Sequence, residues 1–218
     1  MKLSYELFNN VFNWSKGQIP VLNIENKPLY REFIKDIKYL ESNKTERLYF
    51  LFDDDKEVKR AHFIEVPLLL EFNNTKTNRY LTKILTDEFN DEYELRIDIE
   101  NHLRKIIFDL FSGTNLQIDL AEQMDLKQLI KLFQIKIVDD SDSDIGSLIN
   151  YIELMNSIDS DAIFVLLDLK MYFSNEEVIS LYKYCLNNEI EIFLIEEQCE
   201  VLNHEKLFII DEDLCEIF

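Results

Sequence analysis

The last third of the chain alternates between short apolar runs and an amphipathic helix, and this pattern limits the possible folds more than any other feature. Residues 162–169 are an almost continuous apolar run, as in a strand buried on both faces. Ser174 and Glu177 have the spacing of a capping box, which predicts a helix over 176–188. A second apolar run follows at 189–196. This order predicts a right-handed βαβ unit in a parallel sheet.

The first third of the chain predicts further strands, at 3–8, 20–25 and 47–52, and a helix from about Pro28 to Ser42. Proline is well tolerated in a first helical turn, where its missing N–H costs little. In this helix, four apolar residues at helical spacing predict one buried stripe. They are Leu29, Phe33, Ile37 and Leu40.

The middle of the chain has the 3.6-residue periodicity of helices, most clearly at 78–89 and 91–111. Shorter strands are predicted at 116–120 and 134–138, with a helix at 125–133 between them. The simplest assembly is an α/β fold in which both ends of the chain build one parallel-type sheet. We therefore predict a discontinuous head domain, 1–60 with 150–218, and an inserted, mainly helical leg domain, 61–149.

Composition excludes several classes of protein. Hydrophobic residues make up 47% of the 218 residues and aromatic residues 12%, which is too much for a disordered acidic chain. With three glycines and three prolines, collagen-like and linker-like chains are also excluded. The three cysteines have no close pair and are typical of buried thiols in a reducing compartment. No apolar run approaches the ~18 residues of a membrane span, so we expect a soluble, cytoplasmic protein without a membrane partner.

The formal net charge of −20 is unevenly distributed. The first 109 residues contain 17 basic and 20 acidic side chains, for a net charge of −3. The remaining 109 contain 6 and 23, for a net charge of −17. An acidic surface that keeps the protein soluble explains this pattern, and so do two surfaces with different partners. Nucleic acid is compatible with it only if basic residues gather on one face.

One such basic face is predicted on the helix near residue 30, where four basic residues recur at helical spacing. Three more basic residues follow a run of three aspartates. Both groups could contact phosphates without reading sequence. An ordinary amphipathic helix edge, balanced by Glu32, Asp36 and Glu41, is the alternative. The candidates are Lys27, Arg31, Lys35, Lys38, Lys56, Lys59 and Arg60.

Two acidic clusters are candidates for a calcium site, because Ca²⁺ takes six to eight oxygen ligands, many from carboxylates. Neither has the loop spacing of an EF-hand, and a solvated acidic loop is the simpler explanation of each cluster taken alone. The first cluster is Asp119, Glu122 and Asp125, and the second begins with Asp139 and Asp140.

Catalytic motifs are weak. The run that ends at Asp168 resembles the strand that carries a magnesium-binding aspartate in P-loop NTPases, but the sequence has no G-x-x-x-x-G-K-[ST] loop. Asp168 and Lys170 also match the D-x-K pattern of metal-dependent nucleases, for which an ordinary surface pair is the alternative. The histidines, serines and cysteines show no metal-binding or nucleophile motif.

Over essentially its whole length, the chain resembles the Csn2 family of CRISPR-associated proteins from type II-A systems. The resemblance depends on "MKLSYELFNN", "IENKPLYREFIKDI" and "IDLAEQMDLKQLIKLFQIKI". Its most specific part is the tail, "AIFVLLDLKMYFSNEEVISLYKYCLNNEIEIFLIEEQ" and "FIIDEDLCEIF".

The resemblance implies a head like a degenerate P-loop ATPase and a helical leg. It also implies a homotetrameric ring with a basic lumen, threaded by linear double-stranded DNA from its ends and stabilised by Ca²⁺. The implied role is non-catalytic: spacer acquisition beside the CRISPR integrase and the RNA-guided nuclease. Asp119, Glu122 and Asp125 fall in the segment that resembles the family's acidic stretch. The metal-dependent nuclease with Asp168 and Lys170 remains the alternative.

Overall fold

A computed structural model describes residues 1–41, 46–113, 119, 128, 132–197 and 200–218. These residues form nine strands and six helices. The strands are β1 (Lys2–Tyr5), β2 (Phe12–Asn13), β3 (Ile19–Ile24), β4 (Leu48–Leu51), β5 (Ala61–Ile64), β6 (Ile163–Leu167), β7 (Glu191–Ile195), β8 (Glu205–Ile210) and β9 (Glu216–Ile217). The helices are α1 (Lys27–Glu41), α2 (Thr75–Asp91), α3 (Tyr93–Phe111), α4 (Asp144–Ile158), α5 (Leu169–Tyr172) and α6 (Asn175–Asn187).

The chain divides into two compact units. Unit 1 contains Met1–Leu70 and Asp139–Phe218, and unit 2 contains Glu71–Val138. Both boundaries lie inside the predicted insert of 61–149, because β5 and α4 belong to unit 1. β5 pairs in parallel with β6, and α4 buries Leu148 and Ile152 in the unit 1 core.

The main sheet of unit 1 has the strand order β5-β6-β7-β3-β8-β9 and is parallel except for β9. The predicted α/β fold and parallel-type sheet are therefore confirmed. β3, from the first part of the chain, lies between β7 and β8 from the last part. Strand pairing thus joins the two ends of the chain in one sheet, as the sequence predicted. A second, antiparallel sheet has the order β2-β1-β4.

Successive residues of β3 contribute to two separate cores, as the period of two in a strand requires. Leu22 and Ile24 pack in the core that contains the buried stripe of α1 and the small sheet. Ile19 and Val21 pack in the core that contains α4 and α6. The main sheet is therefore covered on both faces, which explains why all six residues of β3 are buried.

In unit 2, α2 begins at a capping box in which the side chain of Asn74 accepts from the backbone N–H groups of Lys76 and Thr77. The strand predicted at 134–138 does not form. There, the side chain of Asn73 takes the place of a neighbouring strand. Its Nδ2 donates to the backbone oxygen of Ile137 at 2.9 Å, and its Oδ1 accepts from the backbone N–H of Ile137 at 2.8 Å. The predicted strand at 116–120 and most of the predicted helix at 125–133 lie outside the described residues.

Within the described ranges, no helix is long and apolar enough to cross a membrane.

Candidate functional site

The basic face predicted on α1 is present as an exposed surface. Asn26 precedes the helix, and its Oδ1 accepts from the backbone N–H of Leu29 at 3.0 Å, as an N-cap residue does. The predicted apolar stripe is buried in the core, so the opposite side of the helix faces outward. Four basic side chains are exposed there: Lys27, Arg31, Lys35 and Lys38.

These four side chains differ in how far their charges are already compensated. The Nζ atom of Lys35 lies 2.8 Å from a carboxylate oxygen of Glu32, and that of Lys38 lies 2.8 Å from one of Glu65. Arg31 forms no ion pair with any residue that the structure describes. All these pairs are solvent-exposed, and exposed ion pairs contribute only about 0–1 kcal/mol. The side chains can therefore exchange these partners for phosphates at small cost.

Asp36, one of the three acidic residues predicted to balance the basic stripe, is not part of the exposed face. It is buried and accepts a hydrogen bond from the hydroxyl group of Tyr5 at 2.7 Å. Arg47 lies 3.7 Å from the same carboxylate. The acidic residues of α1 therefore offset its basic face less than the sequence suggests.

The second predicted basic group has a different environment. The Nζ atom of Lys56 contacts Asp54 at 2.5 Å, and Lys59 is exposed. Arg60 binds the largely buried carboxylate of Asp159 at 2.7 Å, and that carboxylate also contacts Nε2 of His62 at 3.1 Å. Because Arg60 has a buried acidic partner, it is a weaker candidate for phosphate contact than the residues of α1.

A crevice lies at the carboxyl ends of β3 and β7. The chain leaves β3 through α1 on one face of the sheet and leaves β6 through α6 on the other face. β3 and β6 lie on either side of β7 in the sheet. In open α/β sheets, ligands bind in the crevice outside the carboxyl ends of the strands, where the connections change from one face to the other. The crevice has a volume of about 260 Å³. Its polar lining is Asn23, Glu25, Lys27, Tyr30, Glu196 and Glu197.

The crevice is acidic, and its most buried acid is Glu196, which is 3% exposed. Burial raises the pKa of Glu196 to about 7, against the opposing effects of Lys170. Burial also raises the pKa of Tyr30 to about 12, and the negative charges of Asp168 and Glu197 add to this shift. Lys27, a predicted DNA contact, therefore lies beside carboxylates that repel phosphate.

The sequence did not single out Asn23 and Glu196. The sequence does contain a hint of this site. Asn23 is a lone amide within an apolar strand, and Glu196 is an acid directly after another strand, so both lie at the carboxyl edge of a parallel sheet. This signal depends on knowing that the two strands are neighbours, which the structure establishes.

The two residues of the D-x-K pattern, Asp168 and Lys170, bind different partners. Asp168 has a left-handed backbone conformation (φ 48°), and its carboxylate accepts from the backbone N–H of Glu197 at 3.2 Å. The Nζ atom of Lys170 instead binds Glu205 at 2.9 Å, and both of these side chains are buried. Lys170 is thus already occupied by an internal ion pair.

The predicted calcium ligands are only partly described. Glu122 and Asp125 lie outside the described residues, whereas Asp119 and Asp140 are exposed. Hydrogen bonds from Ser147 and Asn150 lower the pKa of Asp139 to about 2. No group of three His, Cys, Asp or Glu side chains arranged to hold a metal occurs within the described part of the chain. A calcium site built from Asp119, Glu122 and Asp125 stays a prediction.

Comparison with known proteins identifies the family. No curated protein matches the chain significantly. The model of the family described as CRISPR-associated protein (Cas_Csn2) matches residues 41–214. This range includes the strands β4 to β8, all of unit 2 and, of the crevice lining, Glu196 and Glu197. β3 and α1 up to Leu40 lie outside it. The chain therefore belongs to the Csn2 family of CRISPR-associated proteins.

Proposed function

We propose that the chain binds the ends of linear double-stranded DNA without sequence preference, as a homotetrameric ring, and supports spacer acquisition in type II-A CRISPR immunity. In this role it acts beside the CRISPR integrase and the RNA-guided nuclease and is itself non-catalytic. The observation that carries the proposal is the exposed basic face of α1 on a chain whose net charge is −20. Membership of a CRISPR-associated family supports it.

The spacing of the basic face suits a phosphate backbone. Arg31 and Lys38 are seven residues apart, about 10 Å along a helix that rises 1.5 Å per residue. Phosphates follow one another every ~3.4 Å along the axis of each DNA strand, so this distance corresponds to about three steps. Contacts of this kind are electrostatic and independent of sequence.

The acidic excess is compatible with this proposal. A net charge of −20 would oppose association with DNA if it were spread evenly. A basic face surrounded by acidic surface instead favours one orientation of the duplex, because like charges repel it elsewhere. The remaining acidic surface keeps the protein soluble.

The decisive experiment measures binding of the full chain to a linear duplex and to the same duplex closed into a circle, over a range of salt concentrations. We expect binding to the linear form, with a steep decrease in affinity as salt rises, of roughly 0.9 log units per phosphate contact for each log unit of salt. Equal affinity for both forms would contradict recognition of ends. No binding at low salt in the presence of Ca²⁺ would contradict DNA binding itself.

Assembly and calcium are tested together by size-exclusion chromatography with light scattering. We expect a tetramer in Ca²⁺ and a shift towards smaller species in a chelator, because acid-rich segments such as the one at Asp119 repel one another without a cation. A monomer under both conditions would contradict the ring, and an unchanged tetramer would contradict the role of calcium.

The nuclease alternative loses its main support because Lys170 is bound to Glu205. Long incubation of duplex DNA with excess protein in Mg²⁺ or Mn²⁺ should leave the DNA intact. Cleavage that disappears in Asp168→Asn would revive the alternative.

A further inference from the structure

The crevice at the carboxyl ends of β3 and β7 contains a buried acceptor that lacks a partner. Asn23 is 5% exposed, and its Nδ2 donates to the backbone oxygens of Glu196 at 2.9 Å and Glu197 at 3.1 Å. These two bonds fix the orientation of the amide, since carbonyl oxygens can only accept. Oδ1 is then left without a hydrogen-bond partner among the described residues. An unsatisfied buried group costs about 1–3 kcal/mol, so a ligand that donates to Oδ1 is favoured.

The charge of the crevice selects the sign of this ligand. Glu25 and Glu197 are exposed at its edge, and Glu196 is buried within it. Asp168 lies close by, because it accepts from the backbone N–H of Glu197. Lys27 is the single cationic side chain among the described lining residues. A negative field combined with an unsatisfied acceptor favours a cation that carries N–H donors.

Phosphate ligands do not fit this crevice. The connection from β3 to α1 contains no glycine with which to form a phosphate-binding loop. The cap on α1 is already supplied by Asn26. The carboxylates that surround the crevice add electrostatic repulsion.

A bare divalent cation fits poorly as well. No set of three metal-ligating side chains gathers anywhere in the described ranges, this crevice included. Its volume of about 260 Å³ accommodates several water molecules at ~30 Å³ each, which is far more space than one ion needs. An organic cation fills this space better.

We propose that the crevice binds a guanidinium group, carried by a free small molecule or by an arginine side chain of another protein. A guanidinium is planar, presents five N–H donors and is weakly hydrated, so it pairs with carboxylates in confined sites better than an ammonium does. Its several donors match a crevice whose lining supplies acceptors from Asn23, Glu196 and Glu197. This proposal does not depend on the DNA-binding proposal, although Lys27 belongs to both sets of residues.

The test is isothermal titration calorimetry of the full chain at pH 8 with three probes: methylguanidinium, N-acetylarginine amide and methylammonium. We expect one site per chain for the two guanidinium probes and binding at least tenfold weaker for methylammonium. Tighter binding of N-acetylarginine amide identifies an arginine side chain as the source, whereas equal or tighter binding of methylguanidinium identifies a free molecule. No binding of either guanidinium probe, or equal binding of methylammonium, overturns the proposal.

Two pairs of substitutions locate the binding site. Glu25→Gln with Glu197→Gln removes two exposed carboxylates from the crevice, and because both are exposed the fold should be retained. We expect guanidinium binding to weaken about tenfold. The matched control, Glu176→Gln with Asp161→Asn, removes two exposed carboxylates that do not line the crevice and should bind like the wild type. Unchanged binding in the crevice variant, or an equal loss in the control, overturns the assignment.

Discussion

Lys170 and Glu205 form an ion pair that is almost completely shielded from water. The Nζ–Oε2 distance is 2.9 Å, and the side chains are 3% and 0% exposed. The other carboxylate oxygen of Glu205 accepts from the hydroxyl group of Tyr182 at 2.6 Å. The pair links the start of β8 to α5 and α6, and it removes Lys170 from the catalytic role that the D-x-K pattern suggested.

The first prediction concerns this pair. Lys170→Met leaves the carboxylate of Glu205 buried without its cation, and we expect the free energy of unfolding to fall by about 3 kcal/mol. The double variant Lys170→Met with Glu205→Leu should recover part of this loss, because no unpaired charge remains. Urea unfolding of both variants measures the effect. A single variant within 0.5 kcal/mol of the wild type would show that the pair contributes little.

The second prediction concerns the pH dependence of stability. Burial raises the pKa of Glu196 from 4.5 to about 7 in the folded chain, where Lys170, Asp168 and Glu205 are the charged groups that affect it. Between these pH values the folded chain retains a proton that the unfolded chain has lost. The contribution of Glu196 to stability is therefore full below pH 4.5. The free energy of unfolding then falls by up to about 3 kcal/mol as the pH rises from 4.5 to about 7.

Glu196→Gln tests this dependence, because an amide does not titrate. Denaturant unfolding at pH 5 and pH 8 should show a smaller loss of stability over this range for Glu196→Gln than for the wild type. The difference between the two proteins isolates Glu196 from other titrating groups. Parallel pH profiles would contradict the raised pKa.

The third prediction concerns the basic face of α1. Arg31→Gln with Lys35→Gln removes two phosphate contacts, so we expect the salt dependence of DNA binding to decrease by roughly 1.8 log units per log unit of salt. Affinity at low salt should fall for every duplex sequence alike. Fluorescence anisotropy with two unrelated linear duplexes measures both effects.

The control for this prediction is Lys183→Glu on α6, which changes the net charge by the same two units. Lys183 is exposed, and α6 packs on the other face of the sheet from α1. We expect its salt dependence to match that of the wild type. If both variants lost affinity equally, overall charge rather than the face of α1 would govern binding.

The fourth prediction concerns the capping box of α6. Oγ of Ser174 accepts from the backbone N–H of Glu177, and the carboxylate of Glu177 accepts from the backbone N–H of Ser174. Ser174→Ala should lower the free energy of unfolding by about 1 kcal/mol. Ser180→Ala on the exposed side of the same helix serves as a control and should change stability by less than half as much. Thermal and urea unfolding measure both.

Much of the secondary structure could be predicted from the sequence, because it depends on contacts between nearby residues. The stripe of α1 from Leu29 to Leu40 follows from helical spacing, and the cap at Ser174 follows from a four-residue pattern. The segment at 134–138 is the exception, because its apolar alternation pairs with no strand among the described residues and is bonded by the side chain of Asn73 instead.

The crevice could not be predicted in the same way. Asn23 and Glu196 are 173 residues apart, and the pairing of β3 with β7 brings them together. Nothing in either segment alone indicates which strand will be its neighbour, because parallel pairing is specified by the packing of the whole sheet.

By itself, the sequence determined the α/β class, the positions of most helices and strands, and the basic face of α1, because periodicity and capping are local. The tertiary structure alone decided which charged side chains remain available to bind a ligand. It buried Lys170 against Glu205, bound Arg60 to Asp159, and gathered an unsatisfied amide and several carboxylates at one edge of the sheet. The physical reason is that the free energy of a charge depends on its burial and its partners, which the order of residues along the chain does not specify.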